Sequence, residues 1–272
     1  MLARESDIWT ASCPWATVGE TVNLILLEQA DLSPDGHFRL TGRRARHVRE
    51  VHRAAVGEEL VVGLLGGRMG RGKVVASSEG EVALQVSLDS EPPPPLAIDL
   101  LLAMPRPKIL RRVLQATASL GVKRLVLVNS FRVEKSYFDT PLLAPGELRE
   151  HLMLGLEQAK DTVLPEVRVE KRFKPFVEDS LDALWPSTRR LIAHPIAEKA
   201  LERGSAKERV VVAIGPEGGW IDYEVRMLEA KGFVRFSLGA RILRVDVAVP
   251  FAIAQVQLAR EFMGSEAKDP HP

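Results

Sequence analysis

Short apolar runs broken by glycine-rich turns characterise the first third of the chain. Three such runs, at residues 59–64, 72–76 and 81–86, follow one another at close spacing. Short strands separated by turn residues are typical of small β-barrels. The pattern therefore predicts a β-barrel domain over residues 22–90, with residues 43–53 forming a helix or loop that lies on it.

From Leu96 to about residue 263, short apolar strands alternate with amphipathic helices. Apolar side chains recur at helical spacing between Ile109 and Thr117, and Gly121 suits the end of that helix. This alternation predicts an α/β fold, with a mainly parallel sheet covered by helices on both faces. The predicted strands are 98–103, 125–128, 191–193, 210–214 and 233–237, and the later helices are 148–158, 222–231 (capped by Asp222) and 247–262.

Residues 91–95 separate the two patterns. They comprise one glutamate and four consecutive prolines, which favour an extended, semi-rigid spacer, so we expect the domain boundary there. Residues 1–21 lack the periodicity of the remainder and are expected to be a disordered leader or a mistranslated upstream stretch. Residues 264–272 are expected to be a polar tail.

Composition narrows the class of protein. The chain has no run of 18 apolar residues, which excludes a membrane-spanning helix. Cys13 is the only cysteine, so a disulfide within one chain is ruled out, and a zinc site built from cysteines is not expected. We therefore expect a cytoplasmic protein that uses neither a metal nor a membrane.

The formal net charge of +1 conceals a strongly basic segment. Nine Lys or Arg residues lie between Arg39 and Lys73, against three acidic residues, and a second basic cluster spans residues 106–112. Guanidinium groups pair well with phosphate oxygens, so one interpretation is a surface that binds a polyanion. A solvated basic helix explains the charge equally well. The residues that such a polyanion-binding surface would use are Arg43, Arg44, Arg46, His47, Arg49, Arg53, Arg106 and Lys108.

Two turns between a strand and a helix are candidates for chemistry. The first, Gly-Pro-Glu-Gly-Gly at residues 215–219, has three glycines in five positions, which allows close approach of a ligand to the backbone. The second, at residues 238–244, combines a glycine with two arginines three positions apart. Ligands of parallel sheets bind beyond the carboxyl ends of the strands. An ordinary turn and plain surface charge remain the alternatives.

These turns and three further stretches resemble the motifs of one enzyme family. The 215–219 turn followed by Leu238-Gly239 and by Arg-Ile-Leu-Arg at 241–244 is similar to the C-terminal signature of the SPOUT methyltransferases, in particular the bacterial 16S ribosomal RNA uridine-N3 methyltransferases. Residues 46–58 resemble that family's H-V-x-x-V-x-R-x-x-x-G-D/E stretch, residues 120–122 its E-L-G-V, and residues 157–165 its E-Q-x-x-R-x-x-x-P. The likeness extends over most of residues 22–262.

The resemblance implies a PUA-like β-barrel joined to a trefoil-knotted SPOUT methyltransferase domain at residues 96–263. It also implies S-adenosylmethionine as the methyl donor, a homodimer, and ribosomal RNA of the small subunit as the substrate. The basic residues of the polyanion-binding surface are therefore assigned to RNA binding. Carried over by position, the residues that contact the donor are Ala193, His194, Gly215, Pro216, Glu217, Gly218, Gly219, Leu238, Gly239, Arg241, Ile242 and Leu243.

The chain departs from the family's pattern on the substrate side. Where the family reads R-T-E-T-A, this chain has Arg244-Val245-Asp246-Val247-Ala248, so both hydroxyls are absent and the carboxylate is one methylene shorter. The family's K-A-T-E is Ala116-Thr117-Ala118-Ser119 here. The arginine of E-Q-x-x-R is replaced by Asp161.

The implied reaction is methyl transfer from S-adenosylmethionine to N3 of a uridine in 16S ribosomal RNA. Arg244 would position the base or offset its developing negative charge, and Asp246 would orient Arg244 or relay a proton. An equally good interpretation makes Asp246 the N-terminal cap of the last helix. Two other functions stay open: a noncatalytic RNA-binding or ribosome-assembly protein with this fold, and a methyltransferase that acts on another RNA base.

Overall fold

The structure is a computed structural model that describes residues 23–195, 197, 201, 204 and 208–261. The leader expected at 1–21 and the tail expected at 264–272 lie outside the described residues. The described chain forms one five-stranded and one six-stranded sheet. None of the helices in these ranges is long and apolar enough to cross a membrane.

The first sheet is built from the N-terminal third of the chain. Its strands are β1 (Ile25–Leu27), β2 (Phe38–Thr41), β3 (Glu59–Leu64), β4 (Met69–Ser77) and β5 (Glu81–Ser90). Their order is β1-β3-β4-β5-β2, with β1 parallel to β3 and the other pairs antiparallel. Alternate side chains form its core, including Ile25, Leu40, Val62 and Leu84. The strands predicted at 59–64, 72–76 and 81–86 are confirmed, and the sheet is compatible with the expected barrel.

The basic segment packs on this sheet as a short helix. Helix α1 (Gly42–His47) continues into a π-helical turn at Val48–His52 and ends at Arg53, whose φ of 53° is left-handed. Ala45 and Val48 are buried in the core of the sheet, which turns the polar side chains outward. The prediction of a helix or loop on the first sheet is confirmed.

The second sheet is entirely parallel, as the alternation of strands and helices predicts. Its strands are β6 (Ile98–Ala103), β7 (Arg124–Val128), β8 (Glu166–Glu170), β9 (Arg189–Ala193), β10 (Val210–Ile214) and β11 (Phe233–Phe236). The order is β11-β9-β10-β6-β7-β8. The central strands β6 and β10 are buried along their whole length. The α/β prediction is confirmed, although the edge strand β8 was not predicted.

Helices flank the second sheet. They are α2 (Pro107–Ser119), α3 (Pro145–Ala159), α4 (Phe173–Pro175), α5 (Leu181–Leu184), α6 (Asp222–Ala230) and α7 (Val245–Glu261), with a π-helical turn at Phe176–Ser180. Helix α2 packs against both α3 and α7. Gly155 permits the α2–α3 contact, because a Cβ at this position would lie 2.7 Å from Cβ of Ala118 and still closer to the carbonyl oxygen of Gln115.

The two sheets are packed against each other and share buried residues. Leu24, Leu26 and Met69 of the N-terminal part belong to the same apolar core as the second sheet. The Leu24 amide donates to the Glu157 carbonyl oxygen (2.9 Å), and the Gly66 amide donates to the carbonyl oxygen of Thr162 (2.8 Å). The N-terminal part is therefore held rigidly on α3 and on the segment that follows it.

Candidate active site

Three neighbouring strands end at the same edge of the second sheet. Strands β9, β10 and β11 lie side by side and run parallel, so the segments that follow Ala193, Ile214 and Phe236 leave the sheet together. Crevices of this kind bind ligands in parallel sheets, because loops from adjacent strands form their walls. The amide of His194 donates to the carbonyl oxygen of Phe236 (3.0 Å), which ties the first of these segments to the third.

A cleft lies between these segments and contains most of the predicted donor contacts. Pro195, Ile214, Trp220, Val245 and Ala248 complete its walls. The predicted residues that line it are Ala193, His194, Gly215, Pro216, Glu217, Gly219, Leu238, Gly239, Arg241, Ile242 and Leu243. Gly218 faces away, and its carbonyl oxygen accepts a hydrogen bond from the Arg132 guanidinium. The tertiary structure thus brings together three segments that the sequence separates by up to 50 residues.

Two features of the cleft require glycine. Gly219 and Gly239 have φ angles of 73° and 106°, in the left-handed region that other residues rarely adopt. A Cβ on Gly215 would lie 3.1 Å from the Trp220 backbone nitrogen and 3.2 Å from its Cδ1, so the indole can close one side of the cleft. The composition of the 215–219 turn therefore follows from its geometry.

Glu217 connects the cleft to a fourth loop. Its Oε1 accepts a hydrogen bond from the backbone N–H of Arg106 (3.3 Å), which immediately precedes α2. The sequence leaves open whether Glu217 would accept from a ligand or from loop amides, and the structure gives it a loop amide. The carboxylate thereby fixes the position of the basic cluster at the start of α2.

Glu224 holds two backbone segments next to the cleft, and its role was not predicted from the sequence. It is buried, its Oε1 accepts from the Phe131 amide (2.7 Å), and its Oε2 accepts from the Ile221 amide (3.0 Å). The expectation that Asp222 caps this helix was wrong, because Asp222 is the first residue of α6 and Glu224 satisfies the amide at the N-cap. An acidic residue three positions after the N-cap is a capping-box signal that could have identified it.

Arg244 and Asp246 form an ion pair at the start of α7. The Asp246 carboxylate accepts from Arg244 Nε (3.1 Å) and Nη2 (2.8 Å), and also from Nη1 of Arg112 on α2 (3.0 Å). Burial alone would raise the pKa of Asp246, but the Arg112 hydrogen bond and the Arg244 charge outweigh it and lower this pKa. The carboxylate is therefore charged at neutral pH and holds the Arg244 guanidinium in place.

Asp246 is not the N-cap of the last helix in this structure. Helix α7 begins at Val245, so Asp246 lies within its first turn. The Val247 and Ala248 amides donate to the carbonyl oxygen of Arg244 at 2.9 and 2.7 Å. A negative charge in the first turn still stabilises the helix, because it interacts favourably with the helix dipole.

His194 lines the cleft in its neutral form. Burial, together with the nearby positive charge of Arg235, lowers the pKa of His194 below its usual value. At neutral pH the imidazole therefore adds no positive charge to the wall of the cleft.

The predicted RNA-binding residues fall into two groups. Arg43 donates to both Glu157 carboxylate oxygens (3.0 and 3.1 Å), Arg44 is paired with Asp31, and Arg49 donates to the Ser78 carbonyl oxygen. His47 packs edge-on against His52, with ring centroids 4.8 Å apart. Arg46, Arg53, Arg106 and Lys108 are exposed. The second group presents cations to solvent, while Arg43, Arg44 and Arg49 also hold the fold together.

Two of the departures from the family's pattern have structural partners. Asp161, which stands where the family has arginine, is buried and paired with Lys123 Nζ (2.5 Å). Ser119 donates from its hydroxyl to the carbonyl oxygens of Gln115 (2.9 Å) and Gly155 (3.0 Å). Among the residues that the structure describes, no group of three or more His, Cys, Asp or Glu side chains could hold a metal ion.

Known proteins resemble this chain in sequence and in fold. A ribosomal RNA small subunit methyltransferase E from Treponema pallidum is 30% identical over 241 residues, which cover 86% of this chain and 90% of that protein. The enzyme of the same name from Synechocystis is 27% identical over 232 residues, covering 82% of this chain and 73% of that protein.

A crystal structure of a ribosomal RNA small subunit methyltransferase E from Neisseria gonorrhoeae bound to S-adenosyl methionine superposes with a TM-score of 0.70, at 21% identity. The superposition covers 88% of this chain and 98% of the other, so the fold is shared across both parts of the molecule. The profile of the RNA methyltransferase domain family matches residues 92–257. From this match and the similarity to the Treponema protein, the chain belongs to the family of the ribosomal RNA small subunit methyltransferases E.

Proposed function

We propose that the protein transfers a methyl group from S-adenosylmethionine to N3 of a uridine in 16S ribosomal RNA, in the cytoplasm. The observation that carries this proposal is the convergence of three segments on one cleft, two of them with glycine turns, with Arg244 and Asp246 beside it. Membership in the methyltransferase E family supports the same reaction.

The residues of the cleft fit the donor chemically. Glycine turns at 215–219 and 238–239 leave backbone amides and carbonyls accessible to adenine and ribose. Ile214, Leu243 and Ala248 provide apolar wall, and the indole N–H of Trp220 is a buried donor without a partner in the described structure. S-adenosylmethionine supplies an already activated methyl group on a positively charged sulfur, and neutral His194 does not oppose that charge.

Arg244 is assigned to the nucleobase. Uracil N3 carries a proton at neutral pH. This proton must pass to solvent water while negative charge develops on the ring and N3 takes the methyl group from the donor sulfur. A guanidinium held by Asp246 can offset that charge without reorganising. Because the pKa of Asp246 is lowered, we assign this carboxylate to orienting Arg244 rather than to accepting the proton.

We assign RNA binding to the exposed cations. Arg46 and Arg53 lie on the N-terminal domain (residues 22–90), and Arg106 and Lys108 lie beside the cleft at the start of α2. The hydrogen bond from the Arg106 amide to Glu217 links Arg106 and Lys108 directly to the 215–219 turn. Phosphates bound along this surface would direct a nucleotide toward the cleft of the C-terminal domain (residues 96–263).

We also propose a homodimer formed through α7. Val247, Phe251 and Leu258 are each about half exposed and lie along one stripe of this helix. Leu120, which directly follows the neighbouring helix α2, is a further exposed apolar side chain. Apolar stripes of this kind are typical of helix–helix interfaces.

We also propose that the C-terminal domain contains a trefoil knot. It is supported by two contacts between described residues of the β9–β10 connection and the far end of α7. The Gly204 amide donates to the carbonyl oxygen of Ala259 (3.1 Å), and Arg260 Nε donates to that of Glu208 (3.0 Å). Tracing residues 194–209 in an experimental density map would test the threading.

The function is tested by mapping methyl groups in ribosomal RNA. Deleting the gene should remove one N3-methyluridine from 16S ribosomal RNA, detected by mass spectrometry of nuclease fragments. The purified protein should restore it in vitro with S-adenosylmethionine. An unchanged modification pattern would support the noncatalytic alternative, and the loss of a different methylated base would identify another target.

A further inference from the structure

Phe131 is an aromatic side chain on the loop that follows β7, and it is 78% exposed. Among the described large apolar residues, only Ile242 is more exposed. Single exposed apolar side chains are common on protein surfaces, so a role for this ring has to follow from where its loop lies.

The backbone beneath the ring is held at several points. The Asn129 amide donates to the Glu170 carbonyl oxygen (2.8 Å), and the Val133 amide donates to that of Ser130 (3.1 Å). The Phe131 amide itself donates to the buried Glu224 carboxylate. The ring is therefore presented from a fixed backbone rather than from a loose loop.

The same contacts place the loop against the 215–219 turn. Glu224 lies on α6, which directly follows the 215–219 turn. The guanidinium of Arg132 donates to the Gly218 carbonyl oxygen, and its Cδ lies 3.0 Å from the position of a Cβ on Gly218. Phe131 thus belongs to the edge of the sheet at which the cleft opens.

Two cations lie near the loop. Arg132 is the chain neighbour of Phe131, and Arg106 is joined to the same turn through Glu217. Cations that can bind phosphate beside an exposed aromatic ring are the recurrent arrangement in proteins that bind single-stranded nucleic acid, because every base has a face on which to stack.

We propose that Phe131 is the platform on which a nucleobase of the RNA, unstacked from its neighbours, packs beside the 215–219 turn. This inference rests on the proposed function and adds a substrate-positioning residue to it. The flat face of the ring is the property that matters, because a base that stacks on it gains more binding free energy than a base that contacts an aliphatic side chain.

The test compares Phe131→Leu with Phe131→Tyr. Leucine keeps an apolar side chain but removes the aromatic face, whereas tyrosine keeps the face. Three quantities are measured for each variant: KM and kcat for 16S ribosomal RNA, the affinity for a fluorescent single-stranded oligouridine, and the affinity for S-adenosylmethionine by calorimetry.

Phe131→Leu should raise KM and weaken oligouridine binding about tenfold, with donor affinity unchanged, and Phe131→Tyr should stay within about twofold of the wild type. Equal values for Leu and wild type would overturn the proposal. So would a loss of donor affinity, or a change of oligomeric state in sedimentation, since either would give the ring another role.

The two proposals can fail separately. If the wild-type protein methylates no RNA, the proposed function fails, and the oligouridine comparison still decides whether Phe131 stacks on bases. If the wild type methylates RNA and Phe131→Leu is unaffected in both RNA readouts, the proposed function stands and the stacking role is refuted.

Discussion

At the scale of single residues, the arrangement around Arg244 explains why an arginine and an aspartate two positions apart are useful together. Asp246 binds two guanidinium groups, one from its own segment and one from Arg112. The Arg112 contact spans 134 positions of sequence. The sequence shows Arg112 only as part of a basic cluster, and the packing of α2 against α7 brings it to Asp246. The bound carboxylate limits the rotamers of Arg244 and keeps its charge directed.

Replacing Arg244 with alanine should lower the rate of methyl transfer at least a hundredfold, because a positioned charge that stabilises the reacting base is lost. Arg244→Lys should recover little of this rate, since an ammonium cannot reproduce the paired hydrogen bonds to Asp246. Single-turnover assays with 16S ribosomal RNA give the rate, and calorimetry should return an unchanged donor affinity. A wild-type rate in Arg244→Ala would remove Arg244 from the mechanism.

The pH dependence of donor binding should report on His194. Its pKa lies below the usual value of 6.5, so the imidazole is neutral at pH 7 and becomes charged only on further acidification. Donor affinity should therefore be flat from pH 8 to about pH 6.5 and fall at lower pH, because the protonated ring repels a sulfonium cation. Calorimetry across this range checks it, and His194→Asn should bind with little pH dependence. A decrease that persists in the asparagine variant would contradict the assignment.

At the scale of elements, close helix packing and the position of basic side chains decide what each segment contributes. Helix α3 approaches α2 at Gly155, where the smallest residue is the only one that leaves room for the carbonyl oxygen of Gln115. Helix α1 presents Arg46 to solvent but directs Arg44 into an ion pair with Asp31. Neighbouring residues of one basic segment thus have different tasks.

Gly155→Ala should destabilise the protein by about 1–3 kcal/mol, because the added methyl group overlaps α2. Gly146→Ala is the matched control, since it lies in the same helix with nothing within 4 Å of its Cβ position. The control should be neutral or slightly stabilising. Urea unfolding of both variants measures the difference, and equal midpoints would show that α2 moves aside without cost.

The double variant Arg46→Gln and Arg53→Gln should weaken RNA binding and reduce the slope of log K against log salt by about two, since each arginine that contacts a phosphate contributes roughly one. Lys174→Gln removes an exposed cation of the C-terminal domain and is the control. Binding of 16S ribosomal RNA is measured by filter retention at several salt concentrations. An unchanged slope in the double variant would show that these two arginines contact solvent and not the RNA phosphates.

At the scale of the whole molecule, the N-terminal sheet and the α/β domain behave as one packed unit. The bidentate pair between Arg43 and Glu157 joins them, and Arg149 donates to the Glu28 carboxylate from α3. The Arg149 hydrogen bond, opposed in part by burial, lowers the pKa of Glu28, so this contact persists at neutral pH. A rigid connection fixes the distance between the basic surface and the cleft.

Phe251→Asp should convert the proposed dimer to a monomer, because a carboxylate in the centre of the α7 stripe would have to be buried without a partner. Val234→Asp makes the same change at an exposed position of β11, outside the stripe, and should leave the assembly intact. Sedimentation velocity distinguishes the two species. A variant that sediments like the wild type would exclude α7 as the interface.

The sequence by itself determined much of the secondary structure, because periodicity follows directly from which face of a strand or helix is buried. The central strands β6, β7 and β10 are apolar except at Asp99 and Arg124, and they were predicted correctly. The strands β2 and β8 were missed because each lies at the edge of a sheet and alternates with exposed or charged residues. The glycine turns were predicted as candidates because unusual backbone angles leave a compositional trace.

Only the tertiary structure decided which distant residues meet. The strand order β11-β9-β10 brings three separate turns to one cleft, and no local pattern encodes that order. The partners of Glu224, Asp246 and Arg43 lie 93, 134 and 114 positions away. A hydrogen bond depends on distance in space, whereas a local sequence pattern constrains only neighbours along the chain. For this reason the sequence marked the segments that line the cleft but not the contacts that hold them in place.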